Sequence, residues 1–179
     1  LKDMGFEELK YDDFTEGMKT IFEKTIPKIS PKKSIDIFNN YVTLLRHELS
    51  LKNEEEGLAF LEKNKENPNI VSLESGLQYE ILIEGKGEIP KITDEVEVEY
   101  EGYLLDSQVF DSTKDSGAKV FNIQEMIPGW QEILTRMQEG SRYKVYIPPH
   151  LAYGENGASP MIQPNATLVF IIELNKIVR

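Results

Sequence analysis

No cysteine occurs in the 179 residues, so the chain forms no disulfide, carries no thiol nucleophile and offers no thiolate to a metal. Histidine is scarce too. His47 lies in a helical pattern and His150 follows a Pro-Pro pair; two imidazoles so far apart make no metal cluster and read as solvated side chains. Basic residues are outnumbered, 20 Lys and Arg against 31 Asp and Glu, giving a formal charge of −11. Neutralising phosphates takes clustered Lys and Arg, so nucleic acid and other polyanions are disfavoured as partners. No apolar run approaches the roughly 18 residues that suggest a membrane-spanning helix. Leu1-Lys2-Asp3-Met4-Gly5 lacks the basic-then-apolar order of a signal peptide, although a leader removed earlier would leave the same start. Also missing are a nucleophile set beside a base, a Gly-rich loop leading into a helix, and a carboxylate pair that stands out from the acidic background. Hydrolysis, phosphoryl transfer and redox chemistry are therefore poorly supported, and no cofactor is expected.

What is present divides by periodicity. Ser30 suits a helix N-cap and Pro31 the first helical position, and no further proline occurs until Pro68. A helix over that whole stretch would span on the order of 50 Å. Its first half carries Ile35, Phe38, Val42, Leu45 and Leu49 at spacings of three and four, broadened by Ile37, Tyr41 and Leu44. The segment before it offers Phe14, Met18, Ile21 and Phe22 on a short amphipathic helix, too little to bury so wide a stripe. We therefore expect a second copy of the chain to cover the stripe, most simply about a two-fold axis; intramolecular packing is the alternative. Beyond Leu51 the helix turns polar, with Glu54-Glu55-Glu56-Gly57 and Glu62-Lys63-Asn64-Lys65-Glu66 around Leu58, Phe60 and Leu61. It reads as a solvated spacer that ends at Asn67-Pro68-Asn69. Residues 1–75 are thus expected to form a helical dimerisation domain with a long linking helix.

After Gly76 the period becomes two. Leu77, Tyr79, Ile81 and Ile83 alternate with polar neighbours, as do Val96, Val98 and Tyr100, then Tyr143, Val145 and Ile147, and finally Leu168, Phe170, Ile172 and Leu174. Trp130, Ile133, Leu134 and Met137 have the spacing of a short helix begun by Pro128. Residues 76–179 accordingly read as an antiparallel sheet wrapped on one helix, and the chain as α+β.

Aromatic and apolar residues recur where loops leave these elements. Ala152-Tyr153-Gly154 is followed by Met161-Ile162 and by the strand containing Phe170, while Tyr100-Glu101-Gly102-Tyr103, Phe110-Asp111-Ser112 and Met126-Ile127-Pro128-Gly129-Trp130 lie upstream. Taken singly, each has a structural reading: Trp130, Tyr100 and Phe170 as core, Asp111 as a turn cap, Tyr153 as a turn tyrosine. Together they suit one apolar pocket edged by a carboxylate and a phenol.

In that order the four segments resemble the FKBP-type peptidyl-prolyl cis/trans isomerases, from about Gly76 to Arg179. The resemblance implies that Trp130 floors the proline pocket, with Tyr100, Phe110, Ile127 and Phe170 as walls and Met126, Met161 and Ile162 at the rim. It further implies that Tyr153 offers its hydroxyl to a substrate carbonyl, that Asp111 accepts a hydrogen bond near the twisting amide, and that the Ile127 N–H holds a ligand carbonyl. Two departures stand out. Lys119 or Val120 falls where many members carry an aromatic, with Phe121 at a neighbouring position, and Ala158 replaces a histidine present in some. Both suggest a more open pocket and put affinity for macrolide inhibitors in doubt. The helical half, with Gly57-Leu58-Ala59-Phe60-Leu61-Glu62-Lys63-Asn64-Lys65 and Ser75-Gly76-Leu77-Gln78-Tyr79, resembles the bacterial Mip-like branch. That branch implies a homodimer through the N-terminal helices, chaperone action on unfolded proline-containing chains, and a periplasmic or cell-envelope location, with the cytoplasm as the alternative. The competing readings are a non-catalytic proline-peptide-binding module and a holdase.

Overall fold

Apolar residues at helical spacing open the chain, and two helices form there: α1 over Tyr11–Phe22 and α2 over Pro31–Asn64. The computed structural model describes residues 10–23, 25, 29–158 and 160–178. Pro31 begins α2, where a missing N–H leaves no intrahelical bond unmade, and Ser30 Oγ accepts from the Lys33 N–H at 3.4 Å. By packing, the chain falls into two units, Leu1–Leu49 and Ser50–Arg179, and the division lies inside α2.

In the first unit, among the described residues, the start of the stripe and the apolar residues of α1 are exposed. Phe22 is 91% exposed, Ile21 73% and Ile35 59%; Phe38 is exposed, while Val42, Leu45 and Leu49 are half-buried.

The second unit holds a seven-stranded antiparallel sheet: β1 (Ile70–Ser72), β2 (Gln78–Ile83), β3 (Glu95–Tyr103), β4 (Val109–Ser112), β5 (Lys119–Asn122), β6 (Ser141–Ile147) and β7 (Leu168–Val178). Its order is β1-β2-β6-β7-β3-β4, with β5 also pairing β3. Thus β3 is shared along its length: Glu95 to Val98 face β5, and Glu101 to Tyr103 face β4. Helix α3, Pro128–Leu134, lies against one face of the sheet. Trp130, Ile133, Leu134 and Met137 are buried there with Val96, Val98, Val145, Ile147, Leu168, Ile172 and Leu174. Each fully buried side chain of this size contributes about 1.5–3 kcal/mol. The α+β class read from the sequence holds.

Two expectations are corrected. The polar end of α2 is not a solvated spacer: Gly57 and Leu61 are buried, and Leu61 packs with Tyr146 and Val169 on the outer face of the sheet. Polar contacts fix the same docking. Gln78 Nε2 donates to Leu61 O at 2.9 Å and Gln78 Oε1 accepts from Asn64 Nδ2 at 2.9 Å, so the buried amide is satisfied at both ends. The alternation of β2 also stops early. A bulge opposite Arg142 interrupts the register between Ile81 and Ile83, and Ile81, Leu82 and Ile83 are all exposed, so only Leu77 and Tyr79 of that row reach the core.

At Gly57 α2 packs tightly against the residue that precedes β7, because a Cβ there would clash with Thr167 Oγ1. That hydroxyl is buried without a hydrogen-bond partner among the described residues. Gly57→Leu should therefore lower the urea-unfolding stability by about 1–3 kcal/mol although leucine is the better helix former. Thr167→Val, which keeps the shape and removes the orphaned hydroxyl, should hold or raise stability.

Candidate functional site

Four rings converge where β3, β4 and β7 pass the start of α3. Tyr100 meets Trp130 edge-on at 5.1 Å between centroids, Phe170 meets Trp130 at 5.3 Å, and Phe110 meets Phe170 at 5.4 Å. All three pairs lie within three degrees of perpendicular, between 87° and 90°, the arrangement that sets a ring's positive edge on its neighbour's negative face. Alternation on the strands brings this about. Tyr100 shares its face of β3 with Val96 and Val98, and β7 supplies Phe170 from opposite Gly102. Gly102 makes room for the rings, since a Cβ there would stand 2.6 Å from Phe110 and 2.9 Å from Phe170.

The polar edge is built around Tyr100. Its Oη donates to Asp111 Oδ2 at 2.6 Å, while Asp111 Oδ1 accepts from the Ser112 N–H at 2.9 Å. Buried Thr113 holds the Tyr100 backbone from the other side: its Oγ1 accepts from the Tyr100 N–H at 2.8 Å and its N–H donates to Tyr100 O at 2.9 Å. Burial first, then the Asp111 hydrogen bond and charge, hold the Tyr100 phenol well above the ordinary tyrosine range. The Tyr153 phenol contributes to the same shift, which places it in the neighbourhood of Tyr100, and Tyr153 itself is 40% exposed.

Loops complete the rim. Ile127 is the N-cap residue of α3, and no acceptor among the described residues takes its N–H. Gln131, one turn into the helix, donates to Met126 O at 2.7 Å and Gln124 O at 3.1 Å, fixing the segment that leads to Ile127. Ala158 and Ile162 exchange backbone hydrogen bonds at 2.7 and 2.8 Å, and the Asn165 N–H donates to Gly154 O at 2.9 Å. Ile162 is buried in the same cluster as the rings, and Met126, Ile127 and Phe110 pack against it half-buried. Met161 is 39% exposed and stands outside that cluster.

The profile of the family described as "FKBP-type peptidyl-prolyl cis-trans isomerase" matches residues 86–175, and that of the "domain amino terminal to FKBP-type peptidyl-prolyl isomerase" matches residues 1–81. The "Probable FKBP-type peptidyl-prolyl cis-trans isomerase FkpA" of Neisseria meningitidis is 39% identical over 99% of this chain and 68% of its own length. This chain belongs to the FKBP-type peptidyl-prolyl cis-trans isomerase family. "Peptidyl-prolyl cis-trans isomerase Mip" of Coxiella burnetii is 46% identical over 68% of the chain and 54% of its own length. The crystal structure of FkpA from Escherichia coli superposes with a TM-score of 0.80 at 32% identity, covering 98% of this chain and 85% of that one. The chain spans between about half and two thirds of the length of these curated relatives.

Three residues beside this cluster were given no site role in the sequence reading. Phe121 joins the rings, 6.1 Å from Tyr100 and 6.2 Å from Trp130. Thr113 and Gln131 hold Tyr100 and the Met126 segment from behind. Phe121 had a signal, since it is the aromatic of a four-residue strand; the other two act through the backbone, which leaves no mark in composition.

A raised phenol pKa means that the folded protein holds the Tyr100 proton more tightly than the unfolded chain. The stability it brings is present below the unfolded value, about 10, and is lost as pH rises through that value towards the folded one. Tyr103, pushed up to about 12 by burial and its hydrogen bond to Glu101, acts in the same direction. Urea midpoints should fall as pH rises above about 10, and the fall should be shallower in Tyr100→Phe. Phenolate absorbance should show the variant lacking a component that ionises late; an unchanged titration would refute the assignment.

Proposed function

We propose that this chain accelerates cis/trans rotation about X-Pro peptide bonds in folding polypeptides. The observation that carries the reading is the edge-on set of Tyr100, Phe110, Trp130 and Phe170, with Asp111 bound to the Tyr100 hydroxyl at its border. Amide rotation is blocked by roughly 18–20 kcal/mol of resonance, which also places negative charge on the carbonyl oxygen. An apolar pocket strips water from that oxygen and disfavours the planar, charge-separated amide relative to the twisted one. Such chemistry needs neither a nucleophile nor a cofactor. X-Pro bonds suit it because cis and trans differ by only about 0.5–1 kcal/mol yet exchange over tens to hundreds of seconds.

In this reading the proline ring rests on Trp130 between Tyr100, Phe110, Ile127 and Phe170, with Met126, Met161 and Ile162 at the rim. Tyr153 donates to the substrate carbonyl, Asp111 accepts near the twisting amide, and the Ile127 N–H holds a second carbonyl. Macrolides that mimic a proline segment would compete for the same space. The catalytic module comprises residues 76–179, to whose sheet β1 (Ile70–Ser72) and the docked end of α2 are added, and the rest of residues 1–75 forms the helical domain. Two copies pair through the face of Ile35, Phe38, Val42, Leu45 and Leu49, and the exposure of Ile35 and Phe38 supports pairing. The exposed Phe14, Met18, Ile21 and Phe22 favour an added holdase activity towards unfolded chains. A relative from Legionella longbeachae, 41% identical, bears the name "Outer membrane protein MIP", and we place this chain in the bacterial envelope by that likeness. No described helix is long and apolar enough to cross a membrane.

NMR exchange spectroscopy on an Ala-Leu-Pro-Phe peptide tests the reading. Catalytic amounts of protein should speed cis/trans exchange, and an FKBP-directed macrolide should suppress the effect. Asp111→Leu and Tyr153→Phe should each slow catalysis about three- to tenfold, the size of one hydrogen bond. Peptide binding without faster exchange would instead favour a passive binding module.

A further inference from the structure

Strand β5 breaks, at its first two residues, the alternation that β3 and β7 obey. Directly opposed residues of antiparallel strands share a face. Lys119 opposes Val98 and Phe121 opposes Val96, so both lie on the face of those two buried valines. Val120 opposes Glu97 on the other face and is 50% exposed. A lysine thus points inward and a valine outward, the reverse of what burial alone selects. Breaks in local consistency of this kind concentrate at functional positions.

The inward lysine reaches the rings. Lys119 Nζ stands 5.9 Å from the centroid of Tyr100, the ring that contacts Trp130 and whose hydroxyl holds Asp111. A cation over an aromatic face is attracted by the ring quadrupole, which orients the ammonium at the border of the pocket. Lys119 is half-buried and makes no salt bridge among the described residues. Its charge is therefore left for whatever enters. Asp111 and the net charge of −11 act in the opposite sense and would repel an acidic segment.

We propose that Lys119 is a specificity residue that recruits X-Pro segments carrying a carboxylate side chain next to the proline. The assignment rests on the isomerase reading of this pocket. A partly exposed ion pair of this kind changes affinity about two- to fivefold and is screened by salt.

The test uses the full chain at low ionic strength and peptides that differ only as Glu against Gln, placed before the proline in one series and after it in another. Exchange spectroscopy gives the Glu/Gln ratio of kcat/KM within each protein, so a general change in activity cancels. Lys119→Met keeps the aliphatic stem over Tyr100 and should lower that ratio about two- to fivefold in at least one series. Lys119→Arg should retain the ratio, and added salt should erase the difference between wild type and Lys119→Met. Equal ratios in wild type and Lys119→Met in both series, with the peptides still accelerated, would overturn the role of Lys119 and leave the isomerase reading standing. A wild-type chain that accelerates none of the peptides, Ala-Leu-Pro-Phe included, would overturn both.

Discussion

Everything at the site depends on the burial of Trp130. The indole is 2% exposed and meets Tyr100, Phe121 and Phe170 through near-perpendicular ring contacts. Those contacts anchor α3 to strands β3, β5 and β7 at once, so one residue ties together elements far apart in sequence. The hydrophobic driving force that closes the core is also what leaves a ring-lined border at its end. Removing water from apolar surface is non-directional, but perpendicular ring packing is not, and it fixes where each aromatic edge points. The site is in this sense the unfinished side of the core rather than an addition to it.

The other face of the sheet has a separate cover. Leu61 seats against Tyr146 and Val169, and the buried amide of Gln78 joins the end of α2 to the start of β2. A sheet with apolar residues on both faces needs two layers, and α3 and the last turns of α2 supply them. Their roles differ physically. Helix α3 is held by a continuous apolar core, whereas α2 is held by a small apolar cluster together with hydrogen bonds from Asn53, Asn64 and Gln78.

Strands whose one face is buried announced themselves in the sequence. Val96, Val98 and Tyr100, and Leu168, Phe170, Ile172 and Leu174, alternate because the core removes every second residue from water. Pro128 marked the start of α3 for the equally local reason that its ring suits a first turn. The docking of α2 was not readable because Glu54 to Glu66 is polar by count and only Gly57 and Leu61 are buried; one leucine and a glycine a turn apart do not stand out as an apolar face in so charged a stretch. Tyr146, an outward aromatic on an otherwise alternating strand, was the mark left on the partner surface. At the site, the four rings and Asp111 came together as the spacing of their segments suggested, while Met161 stayed outside the cluster. The inward turn of Phe121 depends on the register of β5 against β3, a long-range choice that four residues do not specify.

The segment bearing Tyr153 is stitched down at several points. Gly157 N–H reaches back to Tyr153 O, Asn165 N–H reaches Gly154 O, and the Asn165 side chain extends to Ser50 Oγ at 2.9 Å while Asn53 Nδ2 donates to Pro164 O at 2.8 Å. A loop so restrained has surrendered most of its conformational freedom during folding. A ligand arriving beside it does not have to order it, and little of the binding energy is consumed in doing so. The rim is preorganised, so its shape is already set before any ligand arrives.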